Sequence, residues 1–231
     1  MTTADKIIAF NEALNFTGKL PDGIRVMNPY RENPYALQTS SAFFRKYFSN
    51  NNTRRIILGI NPGRLGAGQT GICFTDTFQL EEHCGLTIEG VSTRELSSTF
   101  FFKMINAYGG PEKFYSRYFV SAISPLGFVK ENQNGREVNY NYYDSKALQQ
   151  AVEPFIIETL KQQLEFGIDT EICYCLGTGK NFKYLQELNQ AHQFFKTIIP
   201  LEHPRYIMQY KLKQQQEYID KYLQLLGVER G

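Results

Sequence analysis

The chain has 231 residues, of which 42% are hydrophobic, and a formal net charge of only +2. This length and composition allow one substantial core, so we expect a single domain over residues 1–231 and a monomer. The small net charge excludes a strong overall field for a polyanion, although a local basic patch can still bind nucleic acid. The sequence has neither an apolar run of membrane-spanning length nor a secretory signal pattern, so we expect a cytoplasmic location and no membrane partner.

The N-terminal part predicts helices separated by turns. Residues 2–16 begin with capping residues and carry apolar side chains at helical spacing, which predicts a first helix. Residues 27–39 contain two Asn-Pro pairs, which predict turns. Residues 40–50 predict a second helix that ends at the asparagine run 50–52.

Four short apolar runs follow at wide spacing, and each is unbroken rather than alternating. They cover residues 55–60, 118–124, 171–177 and 196–201. Such runs are typical of strands that are buried on both faces of a parallel sheet.

Helical patterns lie between and after these runs. We predict helices near residues 93–108, 144–166, 179–190 and 207–226, with Ser-Thr-Arg-Glu at 92–95 as a capping box for the first of them. The alternation predicts an α/β fold with three layers (α/β/α) and a central four-stranded, mostly parallel sheet.

Residues 130–144 form a polar segment with an Asn-Gly turn at its centre, which predicts a surface loop or hairpin. Its tyrosines at 140, 142 and 143 could stack on bases, but packing against the protein itself is the commoner role.

The four cysteines are Cys73, Cys84, Cys173 and Cys175, and no two of them have the CxxC spacing of a zinc or redox site. The last two lie in an apolar run and predict small core residues. We therefore expect reduced thiols, no metal site and no cofactor.

In an open parallel sheet, ligands bind beyond the carboxyl ends of the strands. That rule selects Asn61 onward, the region of Ser124, residues 177–179 and His203 onward. We expect these four segments to converge on one site.

The segment LGINPGRLGAGQTGICF, Leu58 to Phe74, places an amide and several glycines directly after the first strand. Glycine lets a backbone approach a ligand closely, and either a phosphate or a flat base would fit. Residues 66–71 match GxGxxG, and residues 63–70 differ by one residue from a phosphate-binding loop. Both patterns lack their context, because the strand does not lead directly into a helix and Gln69 stands where lysine would contact phosphates.

The same segment resembles the first active-site motif of the single-strand-selective monofunctional uracil-DNA glycosylases, within the uracil-DNA glycosylase superfamily. The resemblance extends over most of the chain. It includes residues 26–51, residues 97–129 with a strand ending in Pro-Leu, residues 171–182, and PLEHPRY at 200–206, where the second motif begins with His-Pro. It implies a uracil-DNA glycosylase-like fold and a hydrolase that initiates base-excision repair.

The resemblance also implies roles for individual residues. Asn61 would position the water, since its amide oxygen accepts a hydrogen bond but is a very poor base. His203 would donate, as a neutral imidazole, to the carbonyl oxygen of the leaving base. Phe74 would stack on a base flipped out of DNA, and the backbone around Pro62 and Gly63 would let that base come close. The expected base pocket consists of Ile60, Pro62, Gly63, Phe74, Ala122 and Ser124.

Two positions depart from the family pattern. Ala122 stands where the family has an asparagine that recognises the pyrimidine edge, and a methyl group cannot make that contact. Ser124 lies two residues on, hence on the same face of a strand, and could supply one hydroxyl. The His-Pro motif is shortened, so we expect Arg205, Tyr206 and Lys211 to contact DNA.

We therefore predict a monofunctional glycosylase that acts on uracil, or on a related deaminated or oxidised base, in single- or double-stranded DNA. Two alternatives remain open. One is a non-catalytic nucleic-acid-binding relative, and the other is a nucleotide-binding enzyme that uses the loop from Gly63 to Gly71.

Overall fold

The computed structural model describes residues 1–227, so the last four residues of the predicted domain, 228–231, lie outside the described residues. Within that range the strands form two separate sheets. The strands are β1 (Ile24–Met27), β2 (Arg54–Gly59), β3 (Tyr118–Ala122), β4 (Gly127–Glu131), β5 (Glu137–Tyr140), β6 (Ile168–Leu176) and β7 (Thr197–Leu201).

The central sheet has four strands in the order β3-β2-β6-β7, and all of its neighbouring strands are parallel. Helices flank it, so the predicted α/β class and all four predicted strands are confirmed. The helices within residues 1–227 are α1 (Thr3–Ala13), α2 (Pro29–Glu32), α3 (Pro34–Phe48), α4 (Ala67–Thr70), α5 (Thr77–Cys84), α6 (Leu96–Tyr108), α7 (Pro111–Tyr115), α8 (Lys146–Leu164), α9 (Lys180–His192), α10 (Pro204–Tyr210) and α11 (Gln215–Leu225), with a 3-10 turn at Leu212–Gln214.

The register of the central strands aligns their carboxyl ends. Gly59, the last residue of β2, pairs with Ala122, the last residue of β3, and β6 and β7 also end in register. Asn61 and His203 each follow their strand by two residues. Both therefore leave the sheet at the edge where parallel sheets bind ligands.

The prediction of turns over residues 27–39 is wrong. Asn28 and Asn33 each cap a helix, because each side chain accepts the backbone N–H two residues further on. A proline follows each cap at the first helical position, where the N–H that proline lacks would have no partner. The two Asn-Pro pairs thus start α2 and α3.

The predicted capping box at residues 92–95 is also wrong. Thr93 pairs with Thr77 instead, and its backbone N–H donates to Oγ1 of that residue at 2.7 Å. Helix α6 begins only at Leu96, and its cap residue Glu95 makes no side-chain capping bond. Among the described residues, Oε2 of Glu95 accepts only a long hydrogen bond, from Oγ of Ser98 at 3.4 Å.

The predicted C-terminal helix near residues 207–226 is two helices. Helix α10 already begins at Pro204, directly after His203, and it ends where Lys211 leaves the helical conformation (φ −130°, ψ 24°). A 3-10 turn separates it from α11.

The hairpin predicted within residues 130–144 is confirmed as β4 and β5. The sequence did not predict that β1 pairs antiparallel with β4, which makes a second sheet in the order β1-β4-β5. One core cluster of buried hydrophobic residues runs from Ala4 to Leu226. Among residues 1–227, no helix combines the length and the apolar character needed to span a bilayer.

Candidate active site

A cavity of about 340 Å³ opens at the carboxyl ends of the central strands. Its volume lies within the range of about 300–1,000 Å³ that is typical of small-molecule sites. A smaller cavity beside it is lined by residues 177–179 and shares Ile60 and His203 with it. Of the residues predicted for the site, those that line the main cavity are Ile60, Asn61, Pro62, Gly63, Phe74, Ala122, His203, Arg205 and Tyr206.

Asn61 is held by the backbone at the end of β5 and just beyond it. Its Oδ1 accepts the N–H of Tyr142 at 3.1 Å, and its Nδ2 lies 3.4 Å from the carbonyl oxygen of Tyr140. A backbone N–H can only donate and a carbonyl oxygen can only accept, so these contacts define which end of the amide is which. The second lone pair of Oδ1 is available to a water or a ligand in the cavity.

His203 caps helix α10 and has a defined tautomer. Its Nδ1 accepts the backbone N–H of Arg205 at 3.2 Å, so the neutral ring carries its proton on Nε2. Burial, together with the positive charge of Arg205, lowers the pKa of His203 to about 4. The ring is therefore neutral at physiological pH and presents an N–H donor rather than a cation.

Phe74 lies half-buried on the cavity wall with a left-handed backbone conformation (φ 53°). Its ring stacks on Phe101 with centroids 5.0 Å apart and lies 5.7 Å from the ring of His203. A Cβ added to Gly59 would lie only 2.6 Å from Cε2 of Phe74. The glycine at the end of β2 is thus what leaves room for this ring.

The glycine loop does not have the geometry of a phosphate cradle. A cradle directs backbone N–H groups at the ligand. Here Gly68 donates to the carbonyl of Gly63 at 2.8 Å, and Gly71 donates to Ala67 at 2.8 Å, closing the single turn α4. A carboxylate, that of Glu95, also packs against this loop and would repel a phosphate.

Glu95 occupies the space that two glycines leave open. A Cβ at Gly63 would lie 2.9 Å from Oε1 of Glu95, and one at Gly66 would overlap Oε2. Burial and the neighbouring Asp76 raise the pKa of Glu95, while Arg205 acts in the opposite direction. The loop therefore needs glycine in order to admit a carboxylate to the cavity wall.

The structure does not place Ser124 in the cavity. Strand β3 ends at Ala122, so the period of two no longer applies beyond it, and the Ser124 hydroxyl donates to the carbonyl of Leu126 at 2.8 Å. Ser124 is fully buried there. The expectation that it supplies a hydroxyl to the base pocket is therefore wrong. Ala122 does line the cavity, but its methyl group offers no hydrogen bond.

Of the three residues expected to contact DNA, Arg205 and Tyr206 lie at the cavity and are exposed. Lys211 lies at the end of α10 and does not line the cavity. Tyr210, one helical turn after Tyr206, does line it, and the two rings lie 5.6 Å apart.

Sequence reasoning missed several polar residues of the cavity, above all Glu95, Asn139 and Asn141. The sequence pattern predicts a capping-box role for Glu95, which hides its place at the cavity. Asn139 lies in β5, and Asn141 follows Tyr140, the last residue of that strand. Their alternation with tyrosines is a usable signal, but the polar character of the segment favours a surface hairpin.

Comparisons with known proteins identify the family of the chain. The family model described as the uracil DNA glycosylase superfamily matches residues 45–227. The chain is also similar to a solved structure described as wild-type Pedobacter heparinus SMUG2. The two share 52% sequence identity with a TM-score of 0.96, and the match covers 98% of this chain and 97% of that one. A comparison with curated proteins gives no match.

Proposed function

The chain belongs to the uracil DNA glycosylase superfamily, and on that basis we propose that it hydrolyses the N-glycosidic bond of uracil, or of a related deaminated or oxidised base, in DNA. The observation that carries this proposal is that His203 lines the same cavity as Asn61 and Phe74, although it lies far from both in the sequence. An amide can orient a water, an aromatic ring can stack on a base, and a neutral imidazole can donate to a base oxygen.

The reaction begins with a base that has left the DNA stack and entered the cavity. Phe74 stacks on Phe101 and offers its cavity side to the flat base. Gly59 and Gly63 keep the cavity open where a side chain would fill it. The departing base then lies between the Phe74 ring and the groups that act on the glycosidic bond.

Breaking the glycosidic bond leaves positive charge on the sugar and negative charge on the base. The Nε2–H of His203 donates to the base oxygen on which that negative charge develops. Because the pKa of His203 is about 4, this donor is a neutral imidazole over the whole physiological range. Preorganised donors of this kind lower the barrier because they are already in place when the charge forms.

Asn61 orients the attacking water. Its Oδ1 is held by the N–H of Tyr142 and accepts one hydrogen of the water through its other lone pair. An amide does not remove a proton at physiological pH, so its contribution is position. The water adds to a sugar that already carries positive charge and needs no strong base, and the proton that it loses is balanced by the base, which leaves as an anion.

The cavity supports a monofunctional enzyme. Among the described residues, 1–227, no lysine lines it, so the amine that a Schiff-base lyase would use is not found there. Arg205 and Tyr206 are exposed at its entrance and are suited to hold the DNA backbone and the neighbouring bases, and Lys211, directly after α10, adds a positive charge outside the cavity.

The deciding experiment is an assay for abasic sites on oligonucleotides that contain uracil, hypoxanthine, xanthine or 5-hydroxymethyluracil, each single- and double-stranded. We expect abasic product from at least the uracil substrate, without added metal. Tight binding to these oligonucleotides with no abasic product at high enzyme concentration would instead identify a non-catalytic binding protein. Thermal stabilisation by ATP or NAD, without base release, would select the nucleotide-binding alternative.

A further inference from the structure

One wall of the cavity presents a hydrogen-bond acceptor and a donor close together. Both lie beside Gly63: a Cβ at that position would be 2.9 Å from Oε1 of Glu95 and 3.6 Å from Nδ2 of Asn139. Glu95 comes from the start of α6 and Asn139 from β5. Two separate elements thus bring complementary polar atoms to one point.

The amide of Asn139 has a defined orientation. Its Oδ1 accepts the backbone N–H of Arg64 at 2.9 Å, which leaves the donor end, Nδ2, on the side of Gly63. Within residues 1–227, no hydrogen bond of this Nδ2 is found. Its two N–H groups are therefore free to bind a ligand.

The carboxylate of Glu95 also makes few hydrogen bonds within the described part of the protein. Within the same residues its only hydrogen bond comes from Oγ of Ser98 at 3.4 Å, near the outer limit for such a bond. Its backbone N–H donates to the buried carboxylate of Asp76 at 2.7 Å, which anchors the residue at the start of α6. A half-buried carboxylate with unused lone pairs is costly unless a ligand completes it.

A hydrogen-bonding pair at this position would recognise the edge of a base, which the end of β3 cannot do. The end of β3 carries Ala122, whose methyl group cannot distinguish one base edge from another. The edge of a base such as uracil is an imide, which presents an N–H beside a carbonyl oxygen. Recognition of that edge requires one acceptor and one donor, side by side.

We propose that Glu95 and Asn139 together recognise the imide edge of the extruded base, Glu95 accepting its N–H and Asn139 donating to the carbonyl remote from the glycosidic bond. This inference rests on the proposed function and assigns its specificity to residues outside β3. Cytosine presents an acceptor where uracil has the N–H, and an amino donor where uracil has the carbonyl. With cytosine, Glu95 would face another acceptor and Asn139 would face another donor. Cytosine is therefore rejected, while uracil, its deamination product, is accepted.

The two contacts are separable with modified bases. N3-methyluracil keeps both carbonyl oxygens but lacks the N–H, and 4-thiouracil keeps the N–H but replaces the remote carbonyl oxygen by sulfur. We expect the wild-type protein to release uracil faster than either. Single-turnover rate constants of base release are measured on the three oligonucleotides. For each variant they give two ratios, uracil over N3-methyluracil and uracil over 4-thiouracil.

Glu95→Ala removes the acceptor, whereas Gln would keep an acceptor oxygen at the same place. It is expected to reduce the preference for uracil over N3-methyluracil at least tenfold and to leave the preference over 4-thiouracil unchanged. Asn139→Ala is expected to do the reverse, and because Asn139 is exposed this variant tests the pair even if Glu95→Ala folds poorly. Glu89→Ala and Asn134→Ala, at exposed positions away from the cavity, serve as matched controls that change neither ratio.

Two results would overturn the inference: both variants keep both wild-type ratios, or each variant slows all three substrates in equal proportion. The second result assigns the residues to folding or to the chemical step rather than to recognition. A wild-type protein that releases none of the three bases refutes the proposed function itself, whereas an active protein with unaltered ratios refutes only the Glu95–Asn139 pair.

Discussion

The backbone N–H of Tyr142 donates to Oδ1 of Asn61 at 3.1 Å, across 81 positions of sequence. Tyr142 is itself buried, and its hydroxyl donates to Oδ1 of Asn181 at 2.7 Å. Asn181 in turn donates to the carbonyl of Leu176, at the end of β6, at 3.0 Å. A continuous series of hydrogen bonds therefore ties the amide proposed to orient water to the central sheet.

The hydroxyl of Tyr142 should contribute to stability more than to chemistry. In Tyr142→Phe, Oδ1 of the buried Asn181 loses its donor, which should lower the free energy of unfolding by about 1–3 kcal/mol. The backbone N–H that holds Asn61 remains, so single-turnover base release should fall much less than in Asn61→Ala. Urea denaturation measures the first effect, with the exposed Tyr35→Phe as the control. A Tyr142→Phe protein of wild-type stability would contradict the arrangement.

Removing either proposed catalytic side chain should abolish most base release and leave the fold intact. His203→Ala removes a preorganised donor, a change that costs about 10²–10³ in rate in other enzymes. Asn61→Ala leaves the water unplaced, which should cost at least about 10². Single-turnover assays on a uracil oligonucleotide measure both, and His192→Ala, on α9, is the matched control. Wild-type rates in both variants would refute the assigned roles.

The lowered pKa of His203 predicts how stability depends on pH. The imidazole of His203 has a pKa of about 4 in the folded protein and of 6.5 in the unfolded chain. The unfolded state therefore holds more protons between these values, and this contribution to stability is complete above pH 6.5 and is lost as pH falls to 4. Over that window wild type should lose about 1–3 kcal/mol more than His203→Asn, because each pKa unit corresponds to about 1.4 kcal/mol. If the free energies of unfolding of the two proteins change equally with pH, burial does not lower the pKa of His203.

Gly59→Ala should impair activity through Phe74. The new Cβ would lie 2.6 Å and 2.8 Å from two ring atoms of Phe74, so the ring must move into the cavity. We expect kcat/KM on uracil DNA to fall at least about tenfold, with a loss of stability of about 1–3 kcal/mol from overpacking. If the effect acts through the ring, Gly59→Ala should add little to Phe74→Ala in a double-mutant cycle. Full additivity would place the damage elsewhere.

Arg205 should contribute to DNA affinity through charge. It is exposed at the cavity entrance, and no ion pair of its side chain is found among residues 1–227. Arg205→Ala should weaken binding to all DNA sequences alike and reduce the slope of log K against log salt by about 1. Fluorescence anisotropy at several salt concentrations measures this slope. Arg136→Ala, on the hairpin away from the cavity, should keep the wild-type slope, and an unchanged slope in Arg205→Ala would exclude a phosphate contact.

Much of the site was predictable because its main residues follow directly from strand ends. The apolar runs at 55–60 and 196–201 identify β2 and β7, and Asn61 and His203 come two residues after those strands. The prediction for Ser124 is wrong because it extends the alternation of β3 past the last residue of that strand. The capping box at 92–95 failed because Thr93 pairs with Thr77, a contact that the local pattern does not contain.

The sequence by itself determined the class of the fold, the four central strands and the edge of the sheet where the site lies, because burial and periodicity are local properties of the chain. Only the tertiary structure decided that Glu95 and Asn139 meet beside Gly63, and that Tyr142 holds Asn61. Those contacts join segments far apart in sequence, and their geometry depends on how the hairpin and α6 pack over the end of the sheet. No periodic pattern reports that packing, since it is fixed by the summed burial of many side chains rather than by the few residues that touch.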